Sequence, residues 1–134
     1  MTIEDPFALI ARTMSERRPI ARRRLSLYVA LGDSFTAGTG SNPGDAWPER
    51  LAAGLRAHNP SIAFRNLAVE GATSAQVLEQ LPEAIELEPD LVTVVCGAND
   101  VLTSTRPDAG AYARRLGAIF GRLQRAKIAP RRRA

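Results

Sequence analysis

The sequence predicts an α/β fold in which one parallel sheet carries helices on both faces. Three apolar stretches, at residues 25–31, 62–69 and 90–97, have the length and composition of buried strands. Segments with helical periodicity separate them, and strands that alternate with helices in this way pair in parallel. Because the crossovers between such strands are right-handed, all three strands should end at the same edge of the sheet.

The length of 134 residues fits a single domain, which we place at residues 25–128. Residues 1–24 are predicted to be an extension with one short amphipathic helix. Asp5-Pro6 is a typical helix start, and apolar residues follow at helical spacing: Phe7, Ile10, Ala11 and Met14. The arginine-rich residues 129–134 are predicted to be a basic tail.

Helices are predicted after each strand. Asp45 is expected to cap a helix that carries Trp47, Leu51 and Leu55 on one side and ends near His58. The residues after Gly71 have helical periodicity, with Pro82 expected to kink or divide the helix. Asp108 is expected to open the last helix, which should end near Lys127.

The composition, 45% hydrophobic and 24% charged, is that of a globular protein. No apolar run approaches the roughly 20 residues that a membrane-spanning helix needs. The apolar run at 25–31 follows basic residues but is too short for a secretory signal, so we expect a cytoplasmic protein. Cys96 is the only cysteine, and its position in a predicted strand indicates a small buried residue.

The net charge of +4 is concentrated in two clusters of arginine and lysine, one in residues 17–24 and one in residues 122–133. Such clusters could contact phosphates, but neither contains the aromatic residues on which bases stack. We therefore predict solvated charges and no nucleic-acid partner. A nucleic-acid binder stays the alternative, and its binding would weaken steeply with salt.

Polar segments that contain glycine follow all three predicted strands: Gly32-Asp33-Ser34, residues 66–71, and residues 97–100. Ligands of open α/β sheets bind outside the carboxyl ends of the strands, so these segments should meet at one site. A serine hydroxyl that attacks an ester creates an oxyanion, which needs hydrogen-bond donors at about 2.7–3.1 Å. The backbone N–H groups of Ser34 and Gly71 and the amide of Asn99 could supply them.

Three segments, "GDSFTAG", "NLAVEGAT" and "GAND", resemble in order the first three blocks of the SGNH (GDSL-type) hydrolases. The resemblance covers roughly residues 26–125. It implies a flavodoxin-like three-layer α/β/α fold and a serine esterase or lipase that uses no metal or other cofactor on a small-molecule ester. It also implies Ser34 as nucleophile and Gly71 and Asn99 as partners in the oxyanion hole. Asp33 would brace the turn, with Gly32 and Gly97 in supporting positions.

The Asp-x-x-His block that closes the catalytic triad of this family does not occur in the sequence. The only histidine, His58, is predicted at the opposite edge of the sheet from Ser34. We therefore expect a form truncated after the third strand and its following helix, nearly inactive alone. Its third strand would be an exposed edge prone to self-association. The alternative is a non-catalytic binding protein that reuses the fold.

Overall fold

Three parallel strands form the sheet, and the first strand of the chain lies between the other two. The computed structural model describes residues 26–131, and the side chains of residues 26–126. The strands are β1 (Leu27–Gly32), β2 (Ala63–Asn66) and β3 (Leu91–Val95). Both neighbours run parallel to β1, with Leu27 opposite Ala63 in β2 and Tyr28 opposite Leu91 in β3. The predicted parallel sheet is confirmed.

Five helices connect and follow these strands within the described residues. They are α1 (Ser34–Ala37), α2 (Trp47–His58), α3 (Ser74–Glu86), α4 (Ala98–Leu102) and α5 (Ala109–Arg131). The helix predicted near the amino terminus lies outside the described residues. No helix in the described part of the chain is both long enough and apolar enough to span a bilayer.

The sheet has a core on each face, and β1 contributes to both. Val29 and Leu31 pack with residues of α3 and α5, including Val77 and Ile119. Tyr28 and Ala30 point to the opposite face, where α2 packs on the sheet through Ala52 and Leu55. Successive side chains of a strand point to opposite faces, so a strand buried on both faces is apolar at every position. The structure therefore has the predicted three layers, α/β/α.

Strand β3 forms one edge of the sheet, because within residues 26–131 it pairs with β1 alone. Its first four residues are only half-buried, and Val95 is 39% exposed. An apolar strand with one unpaired edge is the arrangement that the sequence predicts for this segment.

The expected start of α2 and the expected end of β2 are both wrong. Asp45 does not cap α2: Ala46 occupies the N-cap position, without a side-chain hydrogen bond. A proline near the start of this helix lowers the need for a cap, because its missing N–H would have no intrahelical partner. The strand predicted at 62–69 stops at Asn66, whose Oδ1 accepts the Ala68 N–H (3.0 Å) and turns the chain out of the sheet.

Pro82 does not divide the helix that contains it, since α3 is continuous from Ser74 to Glu86. An interior proline costs roughly 3 kcal/mol or more. Val77, Leu81 and Ala84 are fully buried on either side of it, so tertiary packing holds the helix together. Asp108 caps α5 as predicted, with Oδ1 accepting the Ala111 N–H (3.0 Å), but this helix continues past Lys127 to Arg131.

Tyr28 is a fully buried side chain of β1 with a titratable hydroxyl. Its Oη shares a hydrogen bond with Thr93 Oγ1 (2.7 Å), and its ring stacks on Phe64 with 5.1 Å between centroids. Burial raises the pKa of Tyr28 from 10.0 to about 12, and the bond to Thr93 opposes that rise. Because the raised pKa favours the neutral phenol in the folded state, this stabilisation is complete below pH 10 and is lost as the pH rises towards 12.

We predict that the free energy of unfolding falls between pH 10 and pH 12, and that the fall is shallower in Tyr28→Phe. Urea denaturation across this range measures it. In Tyr112→Phe, which leaves Tyr28 as the only tyrosine, absorbance at 295 nm should titrate near pH 12. A midpoint near 10 in protein that circular dichroism shows to be folded would contradict the prediction.

Candidate active site

Ser34 is the first residue of α1, immediately beyond the end of β1. Asp33 stands between strand and helix as the N-cap, and its Oδ1 accepts the Phe35 N–H (3.0 Å). Asp33 is buried, at 3% exposure, and its role in bracing the turn stays a prediction. Ser34 itself is half-buried, and no side chain of residues 26–126 hydrogen-bonds to its hydroxyl.

The segment after β2 crosses over the end of β1. Val69 N–H donates to the carbonyl of Gly32 (3.1 Å), and Asn66 Nδ2 donates to the carbonyl of Thr36 in α1 (2.9 Å). Gly71 lies in this segment with φ of +79°, a left-handed conformation that favours glycine. A Cβ there would meet nothing within 4 Å, so backbone conformation and not packing requires the glycine.

The segment after β3 turns at Gly97 into α4. A Cβ at Gly97 would lie 2.8 Å from Tyr112 Oη, which donates a hydrogen bond to the carbonyl of Cys96 (2.7 Å). The turn therefore requires glycine both for its φ of +131° and for the close approach of Tyr112. It places Asn99 in the first turn of α4, where Nδ2 donates to the carbonyl of Ala72 (3.0 Å).

These contacts bring the three predicted segments together at the carboxyl edge of the sheet. The segment after β2 is bonded to the end of β1 on one side and to Asn99 on the other. Asn99 keeps one of its two amide N–H donors after the bond to Ala72. That this donor, the N–H groups of Ser34 and Gly71, and the Ser34 hydroxyl act on one substrate atom stays a prediction.

A clamp formed by Ser74, Asp100 and Arg115 supports this arrangement, and sequence reasoning missed it. Asp100 accepts the Ser74 N–H (2.7 Å) on Oδ1 and the Ser74 hydroxyl on Oδ2. Arg115 in α5 lies 3.5 Å from Asp100 Oδ2 and 3.4 Å from Ser74 Oγ. Ser74 is fully buried, so these bonds satisfy polar groups that water cannot reach.

The clamp fixes the start of α3, directly after Ala72 and Gly71. Thr73 caps this helix in a capping box with Gln76, a signature that the letters "TSAQ" do contain. Asn99 and Asp100, adjacent in sequence, thus bond to Ala72 and Ser74 respectively. Two neighbouring side chains of α4 hold the segment that carries Gly71.

Cys96 precedes the Gly97 turn and is half-buried. Burial raises the pKa of the Cys96 thiol, and the carboxylates of Asp100 and Asp33 raise it further. The thiolate is the nucleophilic form of cysteine, so this environment makes Cys96 unreactive at neutral pH. Ser34 is therefore the better candidate nucleophile at this edge.

His58 ends α2, as the sequence predicts, and it is exposed. The chain then enters β2, where Ala63 N–H bonds to the carbonyl of Ser26 at the beginning of β1. His58 is thus at the edge of the sheet where the strands begin, whereas Ser34 follows the end of β1. A base for Ser34 cannot come from His58.

A cavity of about 800 Å³ opens beside α4, between it and α5. Its lining includes Thr73, Gly97, Asp100, Tyr112 and Arg115. Ser34, Gly71 and Asn99 are not part of this lining, so the cavity is separate from the proposed nucleophile. In the described part of the chain no three His, Cys, Asp or Glu side chains come together in a metal-binding group.

A model of the GDSL-like Lipase/Acylhydrolase family matches residues 30–133, which include all three segments. The chain belongs to this family. It is 34% identical over 80 residues to an arylesterase of Vibrio mimicus, a match that covers 59% of this chain and 40% of that protein.

Solved esterase structures share the fold of this family member. AlinE4, an SGNH-hydrolase family esterase, matches with a TM-score of 0.65 and 31% identity over 79% of this chain and 57% of that one. The psychrotrophic esterase EstA from Pseudoalteromonas sp., in a structure inhibited by monoethylphosphonate, matches with a TM-score of 0.64 and 27% identity, over 76% and 55% of the two chains. The chain therefore spans little more than half the length of these structures.

We predict that Asp100→Asn lowers the free energy of unfolding by about 1–3 kcal/mol, because one carboxylate oxygen becomes an NH₂ group that faces an N–H or O–H donor of the clamp. Urea denaturation measures the loss. Glu79→Gln, the same chemical change on an exposed position of α3, is the control and should stay within about 0.5 kcal/mol of the unmodified protein. Equal stability of the two variants would show that the clamp contributes nothing.

Proposed function

We propose that this chain supplies the nucleophile and the oxyanion hole of a serine ester hydrolase. The observation that carries the proposal is the bonding of the three strand-end segments to one another beside Ser34. Membership of the family and its similarity to esterases support ester hydrolysis over a binding role for the same fold.

In the proposed reaction the Ser34 Oγ attacks the carbonyl carbon of an ester and forms a tetrahedral intermediate. The N–H groups of Ser34 and Gly71 and the free N–H of Asn99 stabilise its oxyanion, each donor contributing roughly 3 kcal/mol. Collapse of the intermediate breaks the ester C–O bond. The alcohol leaves with the proton that Ser34 gave up, and water then hydrolyses the acyl-serine to a carboxylic acid.

Proton transfer limits the rate of the proposed reaction in this chain, since serine is a poor nucleophile without an adjacent base. His58, the only histidine of the sequence, is at the far edge of the sheet. We propose that the chain alone turns over slowly, roughly 10³–10⁴-fold above the uncatalysed reaction, through its oxyanion hole and substrate binding. A base from outside the described residues would raise this rate.

Exposed apolar side chains near Ser34 fit an ester with an apolar portion. Phe35, next to the proposed nucleophile, is 69% exposed, and Val69 on the segment after β2 is 56% exposed. Burying these side chains against an acyl or aryl group would contribute about 25 cal/mol per Å² of apolar surface removed from water.

The test is hydrolysis of 4-nitrophenyl acetate with and without added imidazole, which stands in for the missing base. The rate of the Ser34→Ala protein is subtracted, because imidazole itself cleaves the ester. We predict a Ser34-dependent rate that rises with imidazole concentration, and a fall of roughly 10²–10³-fold in Asn99→Ala.

Asn42→Ala is the matched control, since Asn42 is exposed in the loop before α2. It should leave the Ser34-dependent rate unchanged. Equal hydrolysis by the unmodified protein and Ser34→Ala at every imidazole concentration would overturn the assignment of the nucleophile and favour a binding protein.

We further propose that the chain self-associates through the edge of β3, where Val95 is exposed on a strand unpaired on one side within residues 26–131. Sedimentation velocity should show oligomers that Val95→Lys reduces, because lysine on an edge strand opposes strand pairing. Val101→Lys, the same change on an exposed residue of α4, separates edge pairing from association through another exposed apolar side chain. Equal effects of the two variants would contradict pairing through β3.

A further inference from the structure

Gln80, in the middle of α3, makes two hydrogen bonds with the backbone of a single residue at the end of β1. Its Nε2 donates to the carbonyl of Gly32 (3.0 Å), and its Oε1 accepts the N–H of Gly32 (3.1 Å). The two residues are 48 positions apart in sequence. A side-chain amide is the side-chain group that can imitate the paired N–H and C=O of a neighbouring strand.

The contact with Gln80 replaces a hydrogen bond that a neighbouring strand would otherwise make with Gly32. The carbonyl of Ala30 accepts the N–H of Leu67 (2.9 Å), and the carbonyl of Gly32 accepts the N–H of Val69 (3.1 Å). The backbone groups of Ala30 and Gly32 therefore point to the same side of β1, towards β2. Because β2 ends at Asn66, the N–H of Gly32 has no strand partner there, and Gln80 provides it.

Atoms of β3 and α1 also lie close to Gly32. A Cβ added to it would lie 2.5 Å from the carbonyl oxygen of Val95 and 2.6 Å from Thr36 Oγ1. The residue is buried, so an N–H without a partner here would destabilise the folded chain. Gln80 thus holds both peptide groups of Gly32 at a point where the backbone has little room to shift.

This contact lies two positions before the proposed nucleophile, with Asp33 between Gly32 and Ser34. The peptide group that joins Gly32 to Asp33 has its carbonyl held by Gln80 and Val69. Asp33 then caps α1, and Ser34 is the first residue of that helix. The direction of the Gly32 peptide therefore sets the direction in which Ser34 leaves the sheet.

We propose that Gln80 is a positioning residue for the nucleophile: its amide fixes the backbone of Gly32 and thereby aims Ser34 at the substrate. The inference rests on the proposed function for its catalytic consequence. The tether itself is a separate, measurable property of the folded chain.

The experiment compares the unmodified protein with Gln80→Met, which keeps the length of the side chain but has no amide. Val77→Ala, which empties part of the core under the same helix, is the control for lost stability. Ser34 is labelled with a 4-nitrophenyl alkylphosphonate at a fixed imidazole concentration, and mass spectrometry follows the adduct. The maximal labelling rate and the reagent concentration for half-maximal rate are measured separately.

We expect the maximal labelling rate to fall roughly tenfold to a hundredfold in Gln80→Met, with the half-saturating concentration unchanged. Val77→Ala should label at the rate of the unmodified protein at a temperature where both are folded. Amide hydrogen exchange by NMR gives the ratio of the Gly32 exchange rate to the Val29 exchange rate. This ratio should rise in Gln80→Met, whereas general destabilisation of the fold does not raise it.

Gln80→Glu gives a second variant with a pH-dependent readout. Its carboxylate accepts the Gly32 N–H but cannot donate to the Gly32 carbonyl, whereas the protonated acid can do both. Its deficit in labelling relative to the unmodified protein should narrow as the pH is lowered from 7.5 to 5.

Each outcome decides a different part of the inference. Adducts on Ser34 at equal rates in the unmodified protein and Gln80→Met would overturn the positioning role and leave the proposed function intact. If the ratio of the Gly32 to the Val29 exchange rate is unchanged in Gln80→Met, the hydrogen bonds of Gln80 do not hold the backbone of Gly32. Absence of any Ser34 adduct in the unmodified protein would overturn the proposed function, and with it the catalytic role of Gln80.

Discussion

The central position of β1 is the constraint on which the rest of the structure depends. This strand is paired in parallel on both sides, and its side chains are buried on both faces. Parallel pairing makes all three strands end at the same edge, so the segments that follow them have to meet. Because β1 is in the middle, the residue that follows it emerges between the other two segments. That residue is Asp33, and Ser34 comes next.

The meeting of the three segments at one edge does not by itself fix their relative positions. Hydrogen bonds, many of them from polar side chains, hold the segments in place. The segment between β2 and α3 is bonded on one side to the end of β1 and on the other to α4. Helix α3 takes part in both sets of bonds, with Ser74 held by Asp100 and Gln80 holding Gly32. The packing of α3 on the sheet therefore supports both the segment with Ser34 and the segment with Gly71.

Much of this architecture could be predicted from the sequence because the signals are local. Apolar runs, helical spacing and glycines at turns identify the strands, the helices and the edge where the polar segments gather. Two local signals nevertheless gave wrong expectations. Pro82 does not divide its helix, because buried residues on either side hold the helix together, and Ala46, not Asp45, occupies the N-cap of α2.

The supporting contacts of the site could not be predicted in the same way. Gln80 and Gly32, like Asp100 and Ser74, are distant in sequence, and a glutamine on a helix gives no indication of which backbone it will reach. Such pairs become visible only when the strands are in register and the helix is docked. The letters "TSAQ" could have indicated the capping box that starts α3, but not the carboxylate that clamps it.

The central claim is that Ser34, Gly71 and Asn99 surround one oxygen atom of a bound acyl group. A crystal structure of the chain after reaction with an alkylphosphonate measures this directly. We predict phosphorus bonded to Ser34 Oγ, with one phosphonyl oxygen about 2.7–3.1 Å from the Ser34 N, the Gly71 N and the Asn99 Nδ2. A phosphonate on another residue, or a phosphonyl oxygen that contacts neither Gly71 nor Asn99, would contradict it.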